Sequence, residues 1–323
     1  MSMSGKEAIA GIRVLVCVAK ADGVIHEEER KALSASLTDA PLPLGMTLDT
    51  LLAETIDLDA QLDWLATPEA KDYVFKSACT LAYADGTCSP EEQKMLDHIQ
   101  ARLGLPREQT SLVSRIFAEA RDTVLPSNLQ PITDATQRAR AINQDTLKYS
   151  VLSALLGAFP VPGLAIATDL AVVAVQVKLV RDIGQCWGHK VDVQAAKSLL
   201  YGLGLGTGAR IAVANMAKVV PGWGSTFGAA AAFASTYGLG KMMDRFFASG
   251  RTADALGKPG DLTELKAQYA AAEKEGQLAY QENRDSIAAK EERTKAQLAK
   301  LNEELAAGKI NQAEYERRAA ELA

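Results

Sequence analysis

The run Ala21-Asp22-Gly23-Val24-Ile25-His26-Glu27-Glu28-Glu29 recurs 63 residues later as Ala84-Asp85-Gly86-Thr87-Cys88-Ser89-Pro90-Glu91-Glu92. Around it, residues 12–33 and 75–96 align without a gap, with Lys31 matching Lys94 and Leu33 matching Leu96. A repeat of this size is one supersecondary unit used twice. Each copy reads as helix, tight turn, helix. Ile12, Leu15, Val16 and Ala19 recur at helical spacing. Gly23 and Gly86 stand where a helix ends in a left-handed residue. Ser89 has the chemistry of an N-cap, with Pro90 at the first helical position and Glu92 closing a capping box. In the first copy His26 takes the capping place and Glu29 follows three residues on. Thr67-Pro68-Glu69-Ala70 opens another helix in the same way. The pattern predicts helical hairpins and an all-α fold.

These two Ala-Asp-Gly…Glu-Glu units resemble the TerB-like family, the helical tellurite-resistance domain, over roughly residues 5–125. The resemblance implies a helical head and raises a divalent metal held by Asp22, Glu28, Glu29, Asp85, Glu91 and Glu92. The residues themselves offer a simpler use. Asp before a helix-ending Gly and Glu in a first turn gain capping and dipole energy of ~0.3–1 kcal/mol each. The acidic loop spacing of an EF-hand is missing. No cofactor is otherwise expected.

Charge divides the chain into three. Residues 1–146 carry 14 Lys and Arg against 22 Asp and Glu, a net −8. Residues 147–250 carry 9 against 4, a net +5, and residues 251–323 carry 12 against 14, a net −2. The 48% hydrophobic content excludes wholesale disorder, and the 6% aromatic content beside abundant Ala and Leu favours helices over sheets. Cys17, Cys79, Cys88 and Cys186 show no C-x-x-C spacing, so a reduced, cytoplasmic setting is expected. The N-terminus lacks the apolar run of a signal peptide.

The basic part is also the apolar part. Residues 151–180 include only Asp169 and Lys178 as charges and are broken by Phe159-Pro160-Val161-Pro162-Gly163. Residues 198–240 include only Arg210 and Lys218. Four runs occur in order: Pro162-Gly163-Leu164-Ala165-Ile166-Ala167-Thr168-Asp169, then Gln176-Val177-Lys178-Leu179-Val180-Arg181-Asp182-Ile183-Gly184, then Val220-Pro221-Gly222-Trp223-Gly224-Ser225, and Thr236-Tyr237-Gly238-Leu239-Gly240. Together they resemble the YcjF-type domain over about residues 145–250. That resemblance implies membrane association and a separate Era-like GTPase as partner. No phosphate-binding loop occurs in the chain itself. Leu164, Asp169, Leu170, Val173, Val177, Lys178, Arg181 and Trp223 are the candidate membrane or partner surface. Both apolar segments reach the ~20 residues a span requires, but the prolines and Asp169 oppose spanning, the latter by ~2.5–3.5 kcal/mol. An Ala/Gly-packed core accounts for the composition equally well.

Residues 262–305 read as a long charged helix. Leu298, Leu301 and Leu305 form a stripe, Gly308 breaks it, and Asn311…Glu314 restarts a helix in the manner of a capping box, with Tyr315, Ala319 and Leu322 facing back. Gln297-Leu298-Ala299-Lys300-Leu301 and Gly308-Lys309-Ile310-Asn311-Gln312-Ala313-Glu314-Tyr315 resemble the SHOCT hairpin, which implies oligomerisation or partner docking through the C-terminal helices.

The expected architecture is a multi-domain helical protein. It comprises a head (1–125), a linker (126–133), an apolar Gly/Ala-rich domain (134–250), a linker (251–261), a long helix (262–296) and a hairpin (297–323). His26, His98 and His189 are scattered without a nucleophile or metal partner by spacing, so no enzyme is expected. Nucleic-acid binding is not expected either, because the basic region lacks a dense Lys/Arg stripe with interleaved aromatics. A stress-associated scaffold or adaptor, peripheral to an inner membrane, fits these parts. The alternatives are a membrane-inserting protein with a water-soluble folded form and a metal-binding module built on the acidic head.

Overall fold

A computed structural model describes residues 4–21, 47–82, 88–106, 116, 124–127, 129–158, 165–203, 205, 225–256 and 259–322. Among the described residues the chain is all-α, with helices and no strand. It divides into two compact units. The first comprises residues 1–121, 160–166 and 206–227, and the second 122–159, 167–205 and 228–323.

The first unit is organised around α1 (Gly5–Ala19), which packs on α2 (Leu48–Ala53), α3 (Leu58–Asp63), α4 (Pro68–Ala82) and α5 (Pro90–Leu103). Ala8, Ala10, Ile12, Val14, Leu15, Val16, Val18 and Ala19 are all buried, so α1 is apolar nearly all round and sits inside its neighbours. Its repeat partner α4 buries Val74, Phe75, Ala78, Cys79 and Ala82, the positions aligned with Gly11, Ile12, Leu15, Val16 and Ala19. Ser89 caps α5 as the sequence predicts, accepting from the Glu92 N–H at 3.2 Å while Glu92 accepts from the Ser89 N–H at 2.8 Å. Gly104, at φ +67°, ends α5 in the left-handed region. The two Asp-Gly turns and His26 lie outside the described residues.

The second unit contains α6 (Ala135–Ala158), α7 (Ala165–Cys186), α8 (Val193–Gly202), α9 (Ser225–Ala248), α10 (Pro259–Ala306) and α11 (Gln312–Ala320). Its helices meet through small residues. A Cβ on Gly238 would lie 2.7 Å from the Glu273 backbone nitrogen, and one on Gly276 would lie 2.7 Å from the Ala234 carbonyl oxygen. Ala234 and Gly238 on α9 thus cross Ala272 and Gly276 on α10 at backbone distance, the geometry that small residues four apart permit. Gly240 gives way in the same manner to Thr146 of α6. Polar side chains bind across these crossings. The Gln176 amide donates to the hydroxyls of Ser235 (3.2 Å) and Thr236 (3.1 Å), and Thr236 donates to Ser153 at 2.9 Å.

The long C-terminal helix is therefore part of this packed unit. Leu265, Tyr269, Ala272, Ala279, Tyr280, Ile287, Thr294, Leu298, Leu301 and Leu305 keep a buried face along α10, while Leu278 is 68% exposed. Gly308, at φ +66°, reverses the chain, and Tyr315 and Ala319 of α11 pack back fully buried. Asn311 caps α11 by accepting from the Glu314 N–H at 2.9 Å. The expected capping box is only half formed, because the Glu314 carboxylate is drawn to Arg317 at 2.7 Å instead. No helix among the described residues is long and apolar enough to cross a membrane.

Candidate functional site

In the first unit, a carboxylate outside the repeat gathers five hydrogen bonds. Glu7 stands in the first turn of α1 with 5% of its surface exposed. One oxygen accepts from the Ser4 N–H (2.9 Å) and hydroxyl (2.8 Å). The other accepts from the Ala66 N–H (3.2 Å), the Thr67 N–H (3.0 Å) and the Thr67 hydroxyl (2.9 Å). Thr67 in turn accepts from the Ala70 N–H at 3.2 Å, so one side chain fastens the N-termini of α1 and α4 together. Burial pushes the Glu7 pKa up, but the hydrogen bonds from Ser4 and Thr67 outweigh it and hold it at about 2, below the ordinary 4.5.

Of the six acidic residues raised for a metal, Asp22, Glu28, Glu29 and Asp85 lie outside the described residues. Glu92 closes the cap on Ser89, and Glu91 is exposed beside it in the same first turn. Both stand at the positive end of the α5 dipole. Among the described residues no group of three or more His, Cys, Asp or Glu side chains is placed to hold a metal ion. An exposed cluster joins α3 to α5. His98 lies 2.7 Å from Asp59, while Arg102 reaches Asp59 at 3.2 Å and Asp63 at 2.7 Å. The His98 hydrogen bond is the main cause of the lowered Asp59 pKa.

In the second unit the polar groups converge on one face of α7, where Lys178, Arg181, Asp182 and Gln185 follow at helical spacing. Asp182 is 1% exposed, yet it accepts from Tyr149 of α6 (3.0 Å), from Lys178 (2.7 Å) and from the Ser127 hydroxyl. Burial, and then the Asp182 charge, push the pKa of the Tyr149 hydroxyl up. Burial and the Asp182 charge also raise the Asp145 carboxyl. This face also binds main-chain groups of residues 125, 127 and 132. Arg181 donates to the Leu125 carbonyl at 2.8 Å, Gln185 to the Ser127 carbonyl at 3.1 Å, and the Ile132 N–H to the Cys186 carbonyl at 3.0 Å. At the far end Arg138 donates to the Ile132 carbonyl at 2.8 Å and lies 3.8 Å over the Trp187 ring, whose N–H donates to Asp244 at 3.0 Å.

This arrangement redistributes the residues put forward for a membrane or partner surface. Leu164 and Trp223 lie outside the described residues; Asp169, Leu170 and Val173 are half-buried; Val177 is 6% exposed and belongs to the core. Lys178 and Arg181 turn to Asp182 and Leu125. The sequence reading did not single out Glu7, although Ser4-x-x-Glu7 is a legible capping box. Asp182 was readable only as the fourth residue after Lys178. Its partners Ser127 and Tyr149 come from distant positions that no local pattern marks.

A family model described as tellurite resistance protein TerB matches residues 8–115. The N-terminal part of the chain is TerB-like. The match runs from the first turns of α1 through α5 and takes in both copies of the repeat. No curated protein and no solved structure matches the chain.

Proposed function

We propose that the chain is a non-enzymatic adaptor of a tellurite-resistance-like stress system, joining a TerB-like unit to a helical unit that associates with an anionic membrane surface peripherally or on a trigger. The observation that carries the reading is the TerB match over residues 8–115. The membrane component is supported by the net +5 of residues 147–250, the most apolar part of the sequence. In this reading the middle is YcjF-like and works beside a separate GTPase, and the SHOCT-like hairpin serves assembly.

The chemistry of the described polar groups favours a structural role over a catalytic one. Burial pushes the Cys17 thiol up to about 11 against the opposing charge of Lys20, burial and then the Asp145 and Asp182 charges push Cys186 up to about 11, and burial raises Cys79 further. Such thiols are poor nucleophiles near neutrality. Glu7, Glu92 and Asp182 each spend their oxygens on fastening helices or chain segments.

Deletion of the gene in its host, followed by tellurite challenge, tests the reading. The deletion should sensitise cells, and a chain with Cys17, Cys79, Cys88 and Cys186 all replaced by Ala or Ser should restore growth if it folds. Unchanged tolerance on deletion would remove the stress assignment, and failure of a folded cysteine-free chain to rescue would argue for thiol chemistry.

A further inference from the structure

The stretch made of residues 124–127 and 129–132 lies on α7 without forming a helix, and what holds it is mostly polar. Leu125, 5% exposed, is its one deeply buried apolar anchor, whereas Val124 is 53% and Leu129 39% exposed. The fasteners are the Ser127 hydroxyl on Asp182, the Arg181 and Gln185 bonds to the carbonyls of Leu125 and Ser127, and the Ile132 N–H on the Cys186 carbonyl. Segments with little apolar burial open at low free energy and so supply the moving parts of a fold.

The two cations on this face are used unequally. Lys178 is matched by a carboxylate, Asp182, at 2.7 Å. Arg181 donates to two main-chain carbonyls, Leu125 at 2.8 Å and Val191 at 3.4 Å, which leaves its charge unmatched by either of these partners. A guanidinium binds phosphate by paired, charge-assisted hydrogen bonds that are roughly twice as strong as those to neutral acceptors. When residues 124–132 stay in place, Leu125 occupies the donor that a phosphate would take. When they leave, Gln185 loses a partner and Arg181 gains access to one of opposite charge.

We propose that residues 124–132 are a releasable strap, and that its departure hands the Arg181 guanidinium to the phosphate of an anionic lipid headgroup. The proposal rests on the membrane reading above and supplies the conformational step that makes the association conditional. The strap thus acts as an internal competitor. Lipid binding and strap docking are mutually exclusive, so each weakens the other by the same factor.

The test uses the full chain and vesicles of phosphatidylglycerol and phosphatidylcholine in equal parts, with pure phosphatidylcholine as the neutral control. Two readouts are taken: co-flotation, and hydrogen exchange of the peptide covering 124–133, which includes the Ile132 amide. In the unaltered chain anionic vesicles should speed exchange at 124–133, and phosphatidylcholine should leave it unchanged. The pair Ser127→Ala with Gln185→Ala should speed that exchange without lipid and tighten anionic binding severalfold. Adding Arg181→Gln should cancel the gain, by about fivefold, the equivalent of one cation at an anionic surface. If the double variant loses helical circular dichroism, Gln185→Ala alone takes its place. Equal flotation of the loosened and unaltered chains, or binding that leaves 124–133 protected, would overturn the strap while the membrane reading stood. Absence of flotation in every chain would overturn both.

Discussion

Replacing Glu7 by Gln isolates the carboxylate that ties α1 to α4. Glu7 accepts five hydrogen bonds, and its pKa is held at about 2 against 4.5 in an unfolded chain. A difference of that size corresponds to ~3 kcal/mol at ~1.4 kcal/mol for each unit, and solvent at the rim of the site trims it to ~2 kcal/mol. The sign is fixed by linkage. A carboxyl depressed on folding stabilises fully above its unfolded pKa, and the contribution is lost as pH falls from about 4.5 through about 2. Glutamine keeps one carbonyl oxygen for Ala66 and Thr67 but turns an amide donor toward the Ser4 N–H, so the capping half of the contact fails. Urea unfolding followed by Trp64 fluorescence, in a background with Trp187→Phe and Trp223→Phe, reads the first unit. Glu7→Gln should lose ~2 kcal/mol near neutrality, with the gap to the parent closing toward pH 2. A gap under ~0.5 kcal/mol at neutrality, or one constant with pH, would refute the reasoning.

Three further outcomes are expected. Gly276→Val should force α10 away from the Ala234 carbonyl and cost ~1–3 kcal/mol in the second unit, read as a lowered thermal midpoint. Ser89→Ala should remove the cap of α5 and cost ~1 kcal/mol by urea unfolding, with Ser89→Asp restoring most of it. Alkylation of Cys17 and Cys186 by iodoacetamide should be slow near neutrality and rise about tenfold per pH unit up to their pKa of about 11, tracking the thiolate fraction. Fast labelling at neutral pH would show that burial does not govern these thiols.

The helical class was legible because its signals are local. The Ser89-Pro90-Glu92 cap, the apolar set of α1 and the Gly308 break all fall within a few residues, and the structure contains each. The long tail helix was legible as a helix but not as part of a packed unit. Its buried face is made largely of Ala272, Gly276, Ala279 and Thr294, small or polar residues that carry little hydrophobic signal although they allow backbone contact with α9. The α7 face was harder still. Lys178 and Arg181, put forward as part of a membrane or partner surface, also meet Asp182 at 2.7 Å and the Leu125 carbonyl at 2.8 Å. The Lys178–Asp182 pair is an i, i+4 match within α7, whereas the Leu125, Ser127 and Tyr149 partners come from distant positions that the local pattern of α7 does not mark.

The central claim is that an anionic surface is a partner of the folded chain, and a salt series of vesicle flotation tests it most directly. The intact chain should float with phosphatidylglycerol-containing vesicles, leave phosphatidylcholine vesicles unbound, and release progressively as ionic strength shortens the Debye length from ~10 Å at 0.1 M toward ~3 Å at 1 M. A monodisperse, folded chain that ignores anionic vesicles even at low salt would contradict the account and leave the second unit as a packed helical core alone.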